Sequence, residues 1–134
     1  MQLLDIPAAI PEKVERLLGP VIKSAPGNVA ERSPDEWDHF EAQLVRWEQD
    51  PGELEDDGLE PPDRETIPLI REVARALRDL GVEPPLRIVP NSEAGAVFEW
   101  RTTPFLWSVE VERDGSLELS VFRAGRLVTR YRIA

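Results

Sequence analysis

The chain predicts an α+β domain in which an antiparallel meander of about five strands, over residues 86–133, is covered on one face by two main amphipathic helices and a short N-terminal one. Three observations carry this. Apolar residues alternate with polar ones in four successive runs: Ala96, Phe98, Trp100; Trp107, Val109, Val111; Leu117, Leu119, Val121; Leu127, Tyr131, Ile133. Asp114-Gly115 and Ala124-Gly125 punctuate those runs, as turns between paired strands do. Upstream, two stretches carry apolar residues at steps of three and four, the period of a helix with one buried stripe.

In chain order, Val14, Leu17, Leu18 and Val21 predict a short helix from Pro11 to about Val21, with Gly19-Pro20 disturbing its end and Pro26-Gly27-Asn28 turning the chain afterwards. Ser33-Pro34-Asp35-Glu36 then has the form of a capping box, with serine at the N-cap and glutamate three residues on. Behind it Trp37, Phe40, Leu44 and Trp47 make one stripe, while Glu36, Gln43, Arg46 and Gln49 point away. The second helix opens at Pro62-Asp63-Arg64-Glu65, buries Ile67, Ile70, Val73 or Ala74, and Leu77, and stops at Leu80-Gly81. Arg71, Glu72, Arg75, Arg78 and Asp79 form its solvated face. Pro84-Pro85 forces an extended backbone into a first strand at Leu86–Val89. Further strands follow at Ala96–Arg101, Leu106–Arg113, Ser116–Arg123 and up to Ile133, with Asp114-Gly115 suited to a two-residue type I′ turn.

A chain of 134 residues suits a single domain, divided here into N-terminal helices (1–47), an acidic loop (48–65) and a helix with the sheet (66–134). Cysteine is absent, which removes disulfides, thiolate metal sites and a cysteine nucleophile. The formal net charge of -10 opposes binding to phosphate backbones, so nucleic acid is not an expected partner. No basic, apolar leader and no run of about 18 apolar residues is present, so a cytoplasmic protein with no membrane partner is expected.

Between Glu48 and Glu65 the composition shifts: Asp50, Glu53, Glu55, Asp56, Asp57, Glu60 and Asp63 crowd among prolines and glycines, and a solvated acidic loop or linker is expected. Glu53, Glu55, Asp57 and Gly58 match positions 1, 3, 5 and 6 of a calcium-binding loop, but position 12, where a bidentate glutamate belongs, is Arg64. Neither a metal nor another cofactor is therefore expected. His39 stands among Asp35, Asp38 and Glu41 with no second histidine or nucleophile in a plausible relation to it, so it reads as an ordinary surface residue. On the sheet face opposite the core, Glu99, Glu110, Glu112 and Glu118 stand across from Arg126, Arg130 and Arg132, as solvated cross-strand pairs. Val97, Leu106, Phe122 and Val128 add an apolar patch to that face.

The helix ending before Pro84-Pro85, the run Ile88-Val89-Pro90 leading to Gly95, then Val97-Phe98-Glu99-Trp100, Val109-Glu110-Val111 and Asp114-Gly115 together resemble a loosely related group of small, uncharacterised bacterial α+β proteins. In these a tryptophan-bearing helix, a linker and a second helix lead into a Glu-Trp hairpin and an Asp-Gly turn. The likeness spans roughly Trp47 to Leu119, departs from the group in its acidic insertion and in Ala94-Gly95, and brings no activity or catalytic residue with it.

The functional expectation is a non-enzymatic protein-binding module that meets a basic partner, in the manner of an antitoxin-like or immunity-like neutraliser. Its candidate contact residues are Asp50, Glu53, Glu55, Asp56, Asp57 and Glu60 on the acidic segment, with Phe122 and Val128 on the outer sheet face. The alternatives are a metal-assisted enzyme using the acidic-loop or sheet-face carboxylates, and a structural or assembly subunit.

Overall fold

The computed structural model describes residues 10–24 and 35–134, with side chains through Leu18 in the first range. Ser33 and Pro34 of the expected capping box, and the Pro26-Gly27-Asn28 turn, lie outside the described residues. Among the described residues four helices, α1 (Ile10–Ser24), α2 (Glu36–Gln49), α3 (Gly52–Asp56) and α4 (Ile67–Asp79), precede five strands, β1 (Arg87–Pro90), β2 (Ala96–Thr102), β3 (Phe105–Val111), β4 (Leu117–Arg123) and β5 (Arg126–Ile133). The strands form one antiparallel sheet in sequential order, the predicted α+β meander.

One sheet face supplies Ile88, Phe98, Trp100, Val109, Val111, Leu117, Leu119 and Ile133 to a core shared with Val14 and Leu17 of α1, the Trp37–Phe40–Leu44–Trp47 stripe of α2, and Ile67, Ile70, Val73 and Leu77 of α4. Two indoles fasten the link between the layers. Trp37 Nε1 donates to Val82 O at 3.0 Å and Trp100 Nε1 to Glu83 O at 2.8 Å, so the segment joining α4 to β1 is held from a helix and from the sheet. Gln43 does not point away as the helical pattern predicts: its amide donates to Ile88 O at 2.9 Å and ties α2 to the edge strand β1. Arg71 is likewise drawn in from the expected solvated face. Its guanidinium lies 3.1 Å from Glu41, which Arg75 also reaches at 3.3 Å, while Arg78 pairs with Asp38 at 2.7 Å. These pairs stitch α2 to α4.

Helix ends differ from the local signals because tertiary contacts decide them. α1 runs on through Gly19-Pro20 to Ser24. The chain at Asp63 makes a turn first, its carbonyl accepting from Thr66 N and Ile67 N, so α4 begins at Ile67, with Thr66 as the buried residue before it and Pro68 in the first turn. Lys13, on the buried side of α1, donates to Gly115 O at 3.1 Å and anchors that helix to the turn between β3 and β4.

The turns also reverse the sequence expectation. Glu112 N donates to Ser116 O, closing a three-residue loop in which Gly115 alone has φ of +87°, so Asp-Gly here is not a type I′ turn. The Asp114 carboxylate accepts from Ser116 N at 2.9 Å and stabilises that longer form. Ala124 and Gly125, at φ of 51° and 79°, make the two-residue turn with both central residues left-handed. Between β2 and β3 the Thr103–Pro104 peptide bond is cis.

Three residues expected in the core are not enclosed by it. A bulge between Val121 and Phe122 pairs Phe122 with Leu127, which moves Leu127 to the outer face, 45 % exposed. Tyr131 keeps its place opposite Leu119 on the core face, yet it is 51 % exposed because β5 is the edge strand. Trp107 is half-buried against the core and not enclosed by it, and its indole N–H has no hydrogen-bond partner.

Candidate functional site

The acidic segment is not the free loop that its composition predicts. α2 carries on to Gln49, and after Pro51 a single turn, α3, is organised by hydrogen bonds from Glu53 N to Asp50 O and from Leu54 N and Glu55 N to Pro51 O. Leu54, the lone large apolar residue between Trp47 and Leu59, is 6 % exposed and belongs to the core. It pins the segment from its middle. Gly58, at φ of +77°, reverses the chain after α3, and Pro62 is buried. At the far end Asp63 N donates to Ala94 O, joining the segment to the β1–β2 loop. The carboxylates of Asp50, Glu53, Glu55, Asp56, Asp57, Glu60 and Asp63 all remain exposed. The composition of the segment points to its seven acids, but an isolated apolar residue in a polar run, here Leu54, is the signal for an anchor.

The β1–β2 loop that receives Asp63 is built around Asn91. Its side-chain oxygen accepts from Glu93 N and Gly95 N, both at 2.8 Å, its backbone N–H donates to Gly95 O, and its Nδ2 donates to Glu110 at 2.7 Å. Asparagine suits this position because its amide both accepts from and donates to a turn. Ser92 and Ala94 take φ of 66° and 71° within that frame. Gly95 is required by space: a Cβ there would stand 2.1 Å from Val111 O.

Where the acidic segment, this loop and the β3–β4 turn meet, an open cleft of about 550 Å³ is lined by Glu60, Asp63, Asn91, Glu93, Glu112, Arg113 and Asp114. Arg113 is the sole basic residue of the lining and lies 3.9 Å from Asp63. Glu112 is engaged by Arg132 at 2.8 Å. Burial pushes the Glu110 carboxyl above the usual glutamate range, with Glu112, Glu118 and Glu93 adding repulsion and the Asn91 hydrogen bond opposing both. The Asp114 carboxyl is held low, mainly by the Ser116 hydroxyl and backbone N–H, with a further contribution from Arg132.

Among the described residues no three histidine or acidic side chains converge closely enough to hold a metal ion, and no helix is long and apolar enough to cross a membrane. His39 is exposed, its ring edge-on to Phe40 with centroids 5.4 Å apart. Comparison with family models, with curated proteins and with solved structures gave no match. The site is an array of exposed carboxylates, carried on a segment anchored by Leu54 and Asp63, beside an acidic cleft.

The outer sheet face divides the remaining candidates. Phe122 is half-buried there in a row with Leu106 and Leu127, and Arg101 continues the row on β2. Val128 is 56 % exposed but falls in the bulge, so Leu127 takes the place beside Phe122 that alternation assigns to Val128. This apolar row lies at the end of the sheet remote from the cleft, since the cleft loops adjoin the Ala96–Val111–Leu117 row and the apolar row adjoins the Ala124-Gly125 turn. The structure does not bring Phe122 and Val128 together with the acidic segment.

Proposed function

We propose that this protein is a non-enzymatic binding module whose acidic end docks on the basic surface of a partner protein, neutralising or regulating it as antitoxin-like and immunity-like proteins do. The reading is supported above all by the way the acidic segment is held. Leu54 and the Asp63–Ala94 hydrogen bond anchor it, yet Asp50, Glu53, Glu55, Asp56, Asp57, Glu60 and Asp63 all face solvent. Like charges so placed repel one another and weaken the native state, a cost that a cationic partner relieves. Preorganisation favours binding, because little chain entropy remains to be lost at the interface. Exposed charges of this kind act mainly on encounter, raising the association rate and suppressing wrong partners.

The test is recovery of partners from a cell lysate by the wild-type chain and by a variant carrying Glu53→Gln, Glu55→Gln, Asp56→Asn and Asp57→Asn. Proteins with basic surfaces enriched on the wild type and lost from the amide variant are the expected result. Equal recovery by both chains would remove the acidic segment from the interface.

A further inference from the structure

The end of the sheet opposite the cleft carries the complementary chemistry. Arg101 closes the outer-face row at β2, while Arg123 and Arg126 face each other across the β4–β5 turn one row further along, on the opposite face with Phe105, so the three meet only at this end of the sheet. All three are exposed, and none forms an ion pair with a described residue. The guanidinium of Arg123 lies over the Phe105 ring, 5.7 Å from its centroid, a contact that leaves its charge uncompensated. By contrast Arg87, Arg130 and Arg132, elsewhere on the sheet, are paired with Glu99, Glu118 and Glu112 at 2.9, 3.0 and 2.8 Å. Apolar residues share their rows: Leu106, Phe122 and Leu127 with Arg101, and Phe105 with Arg123 and Arg126, while Leu127 and the bulged Val128 are 45 % and 56 % exposed. The strands are seven residues long, so roughly 20 Å separates this end from the acidic cleft. That exceeds the screening length of about 10 Å at 0.1 M salt, and the two ends act as separate, opposite poles.

We infer that the arginine pole docks on the acidic cleft of a second copy of the chain, giving head-to-tail self-association. The occupant follows from charge: the pole needs an acidic surface with room for guanidinium groups, and the cleft formed by Glu60, Asp63, Glu93, Glu112 and Asp114 is such a surface on the same molecule. Each guanidinium offers several N–H donors to these carboxylates, of which Asp63 also faces Arg113, and Glu112 and Asp114 also face Arg132. A head-to-tail contact is heterologous, so copies add in one direction, into a ring where the rotation closes and a chain where it does not. The inference rests on the reading of the acidic end as a docking surface and makes a second copy one of its basic partners.

Sedimentation velocity on three proteins tests it: the wild type, a pole variant (Arg101→Gln, Arg123→Gln, Arg126→Gln) and a cleft variant (Glu60→Gln, Asp63→Asn, Asp114→Asn). The wild type is expected to show dimers and larger species at 0.1 M salt, with affinity falling about tenfold or more by 1 M salt. Each variant alone is expected to be monomeric. Mixed in equal amounts they should form a dimer and nothing larger, because only the intact cleft of one and the intact pole of the other can meet. Circular dichroism confirms that both variants are folded. A wild type that stays monomeric at 0.1 M salt and millimolar concentration overturns the inference, as does a mixture that stays monomeric. Binding of a deca-arginine peptide, measured in parallel, separates this failure from failure of the acidic end itself: a monomer that still binds the peptide at the cleft loses only the second copy as partner.

Discussion

Replacing Gly95 by alanine should be among the most damaging single-methyl changes in this protein. The added carbon would stand 2.1 Å from Val111 O and 2.8 Å from Asn91 Nδ2. The Asn91 amide can swing aside, but Val111 O belongs to the backbone of a strand paired on both sides and cannot. Overpacking of this kind costs about 1–3 kcal/mol. If Asn91 moves, its hydrogen bonds to Glu93 N, Gly95 N and Glu110 weaken too, at about 1 kcal/mol each. A total of about 2–5 kcal/mol follows, equivalent to a fall in Tm on the order of 10 °C for a domain of this size. Urea denaturation measures it, with Gly58→Ala as the control. Gly58 has open space around its missing Cβ and only a φ of +77° to defend, which costs alanine about 1 kcal/mol. Gly95→Ala no more destabilising than Gly58→Ala would refute the argument that close approach to β3 is what demands glycine.

Trp100→Ala is expected to cost about 3–5 kcal/mol, since it opens a cavity in the core and frees Glu83 O, while iodide should reach Trp107 and leave Trp100 shielded. Lys13→Met keeps the apolar stem but leaves Gly115 O without its donor, so a loss of about 1–3 kcal/mol is expected in the same denaturation assay. His39→Ala, at an exposed position, should change stability by no more than about 0.5 kcal/mol. For pH, Glu110 and Glu41 act in opposite directions. Burial raises the Glu110 pKa in the folded state, so its contribution is fully present below the ordinary value of about 4.5 and is lost as pH rises through the raised folded value. Glu110→Gln should therefore raise stability at pH 7 relative to wild type and leave pH 4 nearly unchanged. Burial also acts on Glu41, but the hydrogen bonds from Arg71 and Arg75 outweigh it and lower its pKa, so its contribution is present above about 4.5 and lost as pH falls through the folded value. Glu41→Gln should accordingly lose stability at pH 7 and little at pH 3.

The architecture was legible where one face of a strand or helix decides everything. The alternation Phe98, Trp100 and Val109, Val111 sets both the register and the buried face, because a slip of one residue would expose the whole set. The pattern stopped being informative at β5. There a bulge after Val121 exchanges the roles of Leu127 and Val128, and nothing local announces it. Turn chemistry misled for a related reason: Asp114 can accept from Ser116 N, which favours the longer loop, while Ala124 accepts a φ of 51° that its side chain alone would avoid. The acidic residues of the candidate site were found by composition, but the cleft was not. It depends on Asn91 folding its loop and on Asp63 reaching Ala94, contacts between segments far apart in sequence.

The central claim is that a structurally anchored acidic segment captures a basic surface by long-range attraction, and association kinetics test it most directly. A basic partner protein recovered on the wild-type chain would be mixed with the wild type and with the Glu53→Gln, Glu55→Gln, Asp56→Asn, Asp57→Asn variant across salt concentrations from about 0.1 to 1 M, where the screening length shrinks from about 10 to about 3 Å. The account predicts slower association for the variant at low salt, a dissociation rate changed far less, an unchanged Tm, and convergence of the two proteins at high salt. Association rates that coincide at every salt concentration would contradict it.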